Sequence, residues 1–361
     1  MNEKQNQSPS LSRAQKRAAG ILAGATATLF AFMLLLGYIS PFIYTLSTSL
    51  KDKEQISLPN SPLYPARPAK MEFEGKQYEV YRVPQPDGSL KDMAIIEKGR
   101  KTSTFIDAHD PNATPYVWEG KYRSLEPVWD FSPNWSNYPD VWKLEGKNFT
   151  FGKIILNTFL IAVIGIVGTV FSCVAVAYGF SRFRFPFKNT LFLVLIATIF
   201  LPRTVVTVPL YAFFVRIGWV GSWLPLVVPH FFANAYNVFW LRQYFMTIPR
   251  EMDEAAMIDG AGPLRTLFAV ILPQAWPALV TVTLSHMVFA WKDFFEPLIY
   301  LSTKPELQPI SVAIQQFNAL YGQQPQLIQS AAVLGLLVPV LIFFLAQRVF
   351  MQGMVFTGVE K

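Results

Sequence analysis

Long apolar runs separated by short charged stretches dominate this chain, and the spacing of the breaks predicts its elements. A bilayer hydrocarbon core about 30 Å thick takes roughly 20 apolar residues in a helix. Six segments meet that length: 20–46, 154–180, 189–215, 219–241, 277–298 and 327–347. The third carries Arg203 beside Pro202, with Pro209 further on. An arginine near a helix centre costs about 3 kcal/mol on insertion scales. That span is expected to kink and to turn Arg203 toward protein or a wet cavity.

The short loops orient the spans. Lys4, Arg13, Lys16 and Arg17 precede the first run, and the 181–188 loop holds Arg182, Arg184 and Lys188 with no acid. Both belong in the cytoplasm by the positive-inside rule, and six spans then return the C-terminus there, with the 242–275 loop on the same face. The first run is charge-free over 18–50, longer than a signal-peptide core, and no convincing cleavage pattern follows. A retained first helix is expected.

A different pattern occupies 51–153. Residues 71–83 alternate with period two, and Pro86-Asp87-Gly88 supplies a turn. Long loops translocate whatever their charge, so the lysines here do not contradict the topology. The expected fold is an all-α polytopic membrane protein: six transmembrane helices with an extracytoplasmic β-rich insertion between the first and second. Its parts are 1–50, a cytoplasmic tail and the first helix; 51–153, the insertion; and 154–361, a core of five helices.

Composition agrees. Of 361 residues, 52% are hydrophobic and 15% charged, against about a quarter charged in soluble domains. The net charge of +7 resides in basic residues flanking the spans, so topology rather than nucleic-acid binding accounts for it. Cys173 is the single cysteine, which excludes an internal disulfide and a cysteine metal cluster. His230 and His286 are too few and too scattered for a metal site. No G-x-x-x-x-G-K-[S/T] loop occurs, so this chain is not expected to hydrolyse ATP. Lys292, Asp293 and Glu296 are the only crowded charges within a span. They read as gating or structural rather than catalytic, with Lys292 and Glu296 spaced to pair on one helix face.

The loop after the fourth segment reads as two short helices with a sharp turn between them. Pro249 suits a first turn and Thr247 a cap. Glu251, Asp253 and Glu254 suit a helix N-terminus, and Gly260 offers a left-handed C-terminal cap. Gly262-Pro263 restarts the chain. Leu264, Phe268, Ile271 and Leu272 then form an apolar stripe that Pro273 ends. Ala255 and Ala256 let another backbone approach closely. Their surface suits either a socket on a partner protein or packing against the chain's own bundle.

Glu254-Ala255-Ala256, Gly260 and Leu272-Pro273, at this spacing, resemble the EAA loop of ABC importer permease subunits. The sugar branch is resembled most, through Ile248-Pro249 and 258–261. Val270 and Met257 depart from the family's usual residues. The resemblance continues in Asn137-Tyr138 through Trp142, Asn157-Thr158, Leu201-Pro202, 209–211 with Gly218, Trp291, Asp293-Phe294, Pro297-Leu298 and the tail 350–354. The pattern is similar to maltose-transporter-type permeases, the binding-protein-dependent sugar transport inner-membrane components, although the 51–153 insertion is larger than expected.

This resemblance implies that 247–273 holds a coupling helix, with Glu254, Ala255, Ala256, Asp259, Gly260, Leu272 and Pro273 docking an ATPase. It implies a second permease subunit, two cytoplasmic ATPase subunits that bind ATP and Mg, an extracytoplasmic solute-binding protein and surrounding membrane lipid, in a prokaryotic inner membrane. This chain itself would hold no cofactor. The implied solute is a sugar or oligosaccharide, with a polyol or glycerol phosphate as the alternative. Asn234, Tyr236, Asn237, His286 and Trp291 are the polar and aromatic types a sugar path needs, and equally the types that form interhelical hydrogen bonds. A secondary transporter would show internal repeats and would leave the EAA loop without a role.

Overall fold

The computed structural model describes residues 13–58, 60–110, 113–144, 147–320 and 324–355, and leaves the side chains of 13–19, 316, 318–320 and 348–355 undescribed. Lys4, the side chains of Arg13, Lys16 and Arg17, and those of the 350–354 tail thus lie outside the described residues. The chain divides into two compact units, Met1–Asn134 and Trp135–Lys361.

The first unit begins with α1 (Arg13–Ser49), a continuous 37-residue helix that runs through Pro41. Pro41 has no N–H for the carbonyl of Gly37, and the Ser40 hydroxyl donates to that carbonyl instead, at 2.9 Å. The large apolar side chains of α1 from Ile21 to Leu46 are exposed, which is the signature of a membrane span. In α2 (Lys53–Ser57), buried Gln55 donates to the carbonyls of Pro62 and Tyr64 and accepts from the Ala66 amide. It thereby fixes the turn into the sheet.

The strands are β1 (Ala66–Pro68), β2 (Lys70–Phe73), β3 (Lys76–Pro84), β4 (Leu90–Glu97), β5 (Thr102–Asp107), β6 (Tyr116–Glu119), β7 (Glu126–Pro127) and β8 (Trp129–Phe131). An antiparallel meander β2-β3-β4-β5-β6 carries β7 on β3, and β1 pairs with β8 apart from it. The alternating 71–83 run is two strands, not one. Glu74 and Gly75 take φ of 50° and 75° and close a two-residue hairpin, the left-handed pair such turns require. Strand periodicity sends neighbours to opposite faces. Val83, Met93, Ile95 and Phe105 build one small core with Leu125, while Val80, Ala94 and Ile106 build another with Ala69. On the rim, burial raises the Glu79 carboxyl pKa, but hydrogen bonds from Lys98 and Tyr81 outweigh this and hold it below its ordinary value.

The second unit begins with α3 (Asn137–Lys143), ahead of the expected boundary at 153. Val141 and Leu144 pack with Phe151, Ile154 and Ile310, so this stretch belongs to the helical core. The central helix is α4 (Phe151–Arg182). Then α5 (Lys188–Ala197) and α6 (Arg203–Arg216) meet at a 95° bend, at the Pro202 where a kink is expected. Arg203 is mostly exposed, lies over the Phe289 ring and comes within 3.8 Å of Glu296.

The expected span 219–241 is not one helix. It holds α7 (Leu224–Val227), a 3₁₀ turn at Val228–Phe231 and, after an extended step, α8 (Ala235–Thr247). Pro225 and Pro229 remove two amides, and the Asn234 side chain caps α8 by accepting from the Asn237 amide at 2.9 Å. Next come α9 (Arg250–Ile258), α10 (Pro263–Thr266), a π-turn at Leu267–Ile271, α11 (Leu272–Gln274) and α12 (Trp276–Lys292), with an 80° bend before α12. The unit closes with α13 (Phe295–Tyr300), α14 (Ile310–Leu320) and α15 (Pro325–Val355). Among the described residues, three continuous helices and two bent pairs are long and apolar enough to cross a membrane. These account for at most five of the six expected crossings, and the broken 219–241 stretch is not among them.

Small residues let α4 sit at the centre. Cys173, Val174, Ala177 and Tyr178 pack with Val238, Leu241 and Phe245 of α8 and with Ala278 and Val282 of α12. The proposed Lys292–Glu296 pair is absent. Asp293 ends α12, so the two residues lie on different helices, and Glu296 faces Arg203 instead.

Candidate functional site

Helix α9 is built by local chemistry. Pro249 stands at its N-cap with φ −54° and ψ 140°, and Glu251 and Asp253 occupy its first turn. Thr247 is not the cap; its hydroxyl donates to the Tyr244 carbonyl at 2.7 Å and closes α8. At the other end Gly260 has φ +78°. The Gly260 amide donates to Met257 O at 3.0 Å and the Ala261 amide to Ala256 O at 2.8 Å, the paired bonds of a Schellman cap.

The helix has two faces. Asp253 and Ala256 turn inward and are buried, whereas Glu254, Ala255, Met257, Ile258, Asp259 and Gly260 are exposed. Ile258 is 86% exposed, Leu264 71% and Phe268 64%, an unusual apolar surface at the end of a bundle. The expected stripe is thus split. The π-turn shifts the phase of the helix, so Leu267 and Ile271 face the core while Leu264 and Phe268 face outward. Leu272 is half-buried and Pro273 exposed within α11.

The inner face of α9 meets the end of α4. Arg182 Nε stands 2.8 Å from Asp253 Oδ2, and both side chains are about nine-tenths buried. The N–H axis is not aligned on the oxygen, so the contact is an ion pair rather than a linear hydrogen bond. Arg182 Nη2 also donates to the Ile248 carbonyl at 2.9 Å, and the Tyr178 hydroxyl donates to the Pro263 carbonyl at 3.0 Å. The 181–188 and 242–275 loops, both expected on one membrane face, therefore lie together. Sequence reading missed the pair; the signal was a basic residue ending an apolar run and an acid at the inward position of an amphipathic turn.

The five polar candidates for a solute path separate. Asn234 and Tyr236 are exposed and Asn237 half-buried, gathered at the start of α8. His286 is buried: its Nδ1 lies 3.1 Å from the Thr169 hydroxyl, and its ring stands edge-on to His230 with centroids 4.5 Å apart. Only about 10 Å³ stays open among Ile161, His230, His286, Phe289 and Asp293, far below what a sugar needs.

Trp291 donates its indole N–H to the Gly335 carbonyl at 3.1 Å. That carbonyl lacks an intrahelical donor because residue 339, four further on in α15, is proline. Trp291→Phe is therefore expected to cost about 1–3 kcal/mol. Pro339→Ala in the same chain should return part of it by supplying the missing amide. Detergent-phase unfolding of the two single variants and the double variant checks this; strict additivity would dissolve the link.

On the first unit, a groove of about 690 Å³ is lined by Tyr64, Tyr81, Lys98, Tyr122, Arg123 and Trp129 among others.

Residues 168–355 match the family described as binding-protein-dependent transport system inner membrane component. A probable ABC transporter permease protein of Pyrococcus horikoshii is 31% identical over 217 residues, 59% of this chain and 77% of that protein. The sn-glycerol-3-phosphate transport system permease protein UgpE of Pectobacterium atrosepticum is 31% identical over 228 residues, 61% of this chain and 79% of its own length. The osmoprotective compounds uptake permease protein GgtD of Synechocystis sp. is 26% identical over 226 residues, 62% and 74% of the two chains. In fold, the chain is similar to a bacterial ABC transporter involved in the import of the acidic polysaccharide alginate, with a TM-score of 0.60 and 20% identity, over 94% of this chain and 99% of that one.

Proposed function

Because the chain belongs to the family of binding-protein-dependent transport system inner-membrane components, whose members are transporter permeases rather than enzymes, we propose that it forms part of the translocation path for a sugar or oligosaccharide. An extracytoplasmic solute-binding protein delivers the solute, a second permease subunit completes the path, and two cytoplasmic ATPase subunits bind ATP and Mg. The chain crosses the inner membrane six times with both termini in the cytoplasm, the broken 219–241 stretch counting as one crossing.

The observation that carries the reading is α9: a short, capped helix that presents Glu254, Ala255, Asp259 and Gly260 together with an exposed apolar rim. A surface of that kind suits a socket on a partner. When ATP closes the ATPase pair, α9 carries the movement and the spans reopen outward. Asn234, Tyr236 and Asn237, accessible at the start of α8, are the first solute contacts in this scheme. His286 and Trp291 contribute only if their helices move apart. The 51–153 insertion gives the binding protein a surface to dock on.

A second solute class has its own support. A relative named for sn-glycerol-3-phosphate is as similar as any reported above, and the same machinery would carry a phosphorylated polyol. The test is an affinity pull-down of the tagged chain from its native membrane, with every partner, and the ligand held by any binding protein, identified by mass. An ATPase, a second permease and a sugar-loaded binding protein are the expected recovery. A glycerol phosphate ligand would move the solute to the second class. Recovery of the chain alone, moving solute in liposomes without ATP, would overturn the reading.

A further inference from the structure

We infer that the Asp253–Arg182 ion pair is the joint through which α9 moves α4, so that the two helices travel as one body when an ATPase acts on α9. The inference rests on α9 being the ATPase-docking helix. Chain connectivity does not supply this link: α9 follows α8 through Pro249 and leads through Gly260 and Gly262 toward α12, while α4 lies far away in sequence.

The last turns of α4 nevertheless reach α9 at one point and the chain on both sides of it. Arg182 bonds the Ile248 carbonyl just before the helix and meets Asp253 within it, and Tyr178 bonds the Pro263 carbonyl just after it. From the other side, Arg242 of α8 donates to the Phe180 carbonyl at 3.2 Å and lies over the Phe192 ring at 4.2 Å. Among the described residues, Asp253 Oδ1 has no hydrogen-bond donor, and Arg182 is the one cation in ion-pair distance of this buried carboxylate.

A pair of this kind contributes little to stability compared with apolar packing, but the one guanidinium holds two points, the Asp253 carboxylate and the Ile248 carbonyl, which an apolar contact does not. Further along, α4 packs closely through Gly165 and Gly168, where an added Cβ would run into His286, His230 and Phe231. Movement of the α4 end is thereby carried to the elements around buried His286 and half-buried His230. Asp253 and Arg182 are positioning residues, acting through α4.

Hydrogen–deuterium exchange on the assembled complex, this chain with its second permease and ATPase subunits, tests the joint with and without MgATP. In the unchanged chain, ATP is expected to alter exchange both in α9 and in the last turn of α4. Asp253→Asn should keep the α9 response and cut the α4 response about fivefold or more. The charge swap Asp253→Arg with Arg182→Asp should return it. A contact that only stabilised the fold would loosen α4 equally in both nucleotide states and leave the ATP-dependent difference alone.

An undiminished α4 response in Asp253→Asn overturns the joint. Should that variant fail to assemble, Arg182→Lys carries the test: it keeps the charge and gives up the Ile248 bond, and must weaken the response or the joint is overturned. If α9 itself is silent in an unchanged complex that hydrolyses ATP, the docking reading falls instead, and the joint with it.

Discussion

Replacing Gly168 by leucine is expected to leave little folded protein, while Gly179→Ala on the same helix is expected to be harmless or stabilising. A Cβ at Gly168 would stand 2.7 Å from Phe231 Cδ2 and 3.0 Å from the His230 carbonyl carbon. Both neighbours sit in the 3₁₀ turn of the broken span, and a backbone atom cannot swing aside as the end of a side chain does. Even Gly168→Ala should cost about 1–3 kcal/mol, and leucine more. Gly179 meets nothing within 4 Å, so alanine there should gain about 0.5–1 kcal/mol from helix propensity alone. Monodispersity and thermal unfolding in detergent read the contrast. Equal behaviour of the two sites would mean that α4 does not approach the 228–231 turn this closely.

The same crossing shows why the sequence was only partly legible. Runs of apolar residues located α1, α4 and α15 because length and composition alone define a lipid-facing helix. They failed at 219–241, where Pro225, Pro229 and the Asn234 cap break the helix without interrupting hydrophobicity. Glu74 and Gly75 hid in an alternating run because a two-residue hairpin preserves the parity of the pattern on either side. Around α9, Gly260 was readable, since its left-handed conformation is a local demand. The outward turn of Leu264 and Phe268 was not, because it depends on a π-turn that a fixed helical period does not anticipate. Arg182 and Asp253 are 71 positions apart by numbering (253 − 182), and only the packing of α4 against α8 brings them together.

If α9 docks an ATPase as proposed, Gly260→Pro is expected to detach it while the rest of the fold stands. Proline fixes φ near −65°, whereas Gly260 sits at +78° and donates its amide to Met257. Both requirements of the cap are lost at once, and the neighbouring Ala261–Ala256 bond goes with them. Gly260→Asn, which tolerates the left-handed region, should keep most of the function, and Gly260→Val should fall between, at about 1–2 kcal/mol of local strain. A Cβ on Gly260 would meet nothing within 4 Å beyond its own turn, so the helical core has no reason to respond. Membrane insertion and the sheet of the first unit should stay intact, and ATPase recovered on the tagged chain should fall tenfold or more, a loss of about 1.4 kcal/mol or greater in association. Glu254→Lys approaches the same surface through charge. Glu254 is exposed and makes no ion pair within this chain among the described residues, so reversing its sign leaves the fold alone. Any loss of ATPase recovery then reports a contact outside the chain. Wild-type recovery and transport in both Gly260→Pro and Glu254→Lys would remove α9 from the coupling path, since neither the shape nor the charge of its outer face would then matter to a partner.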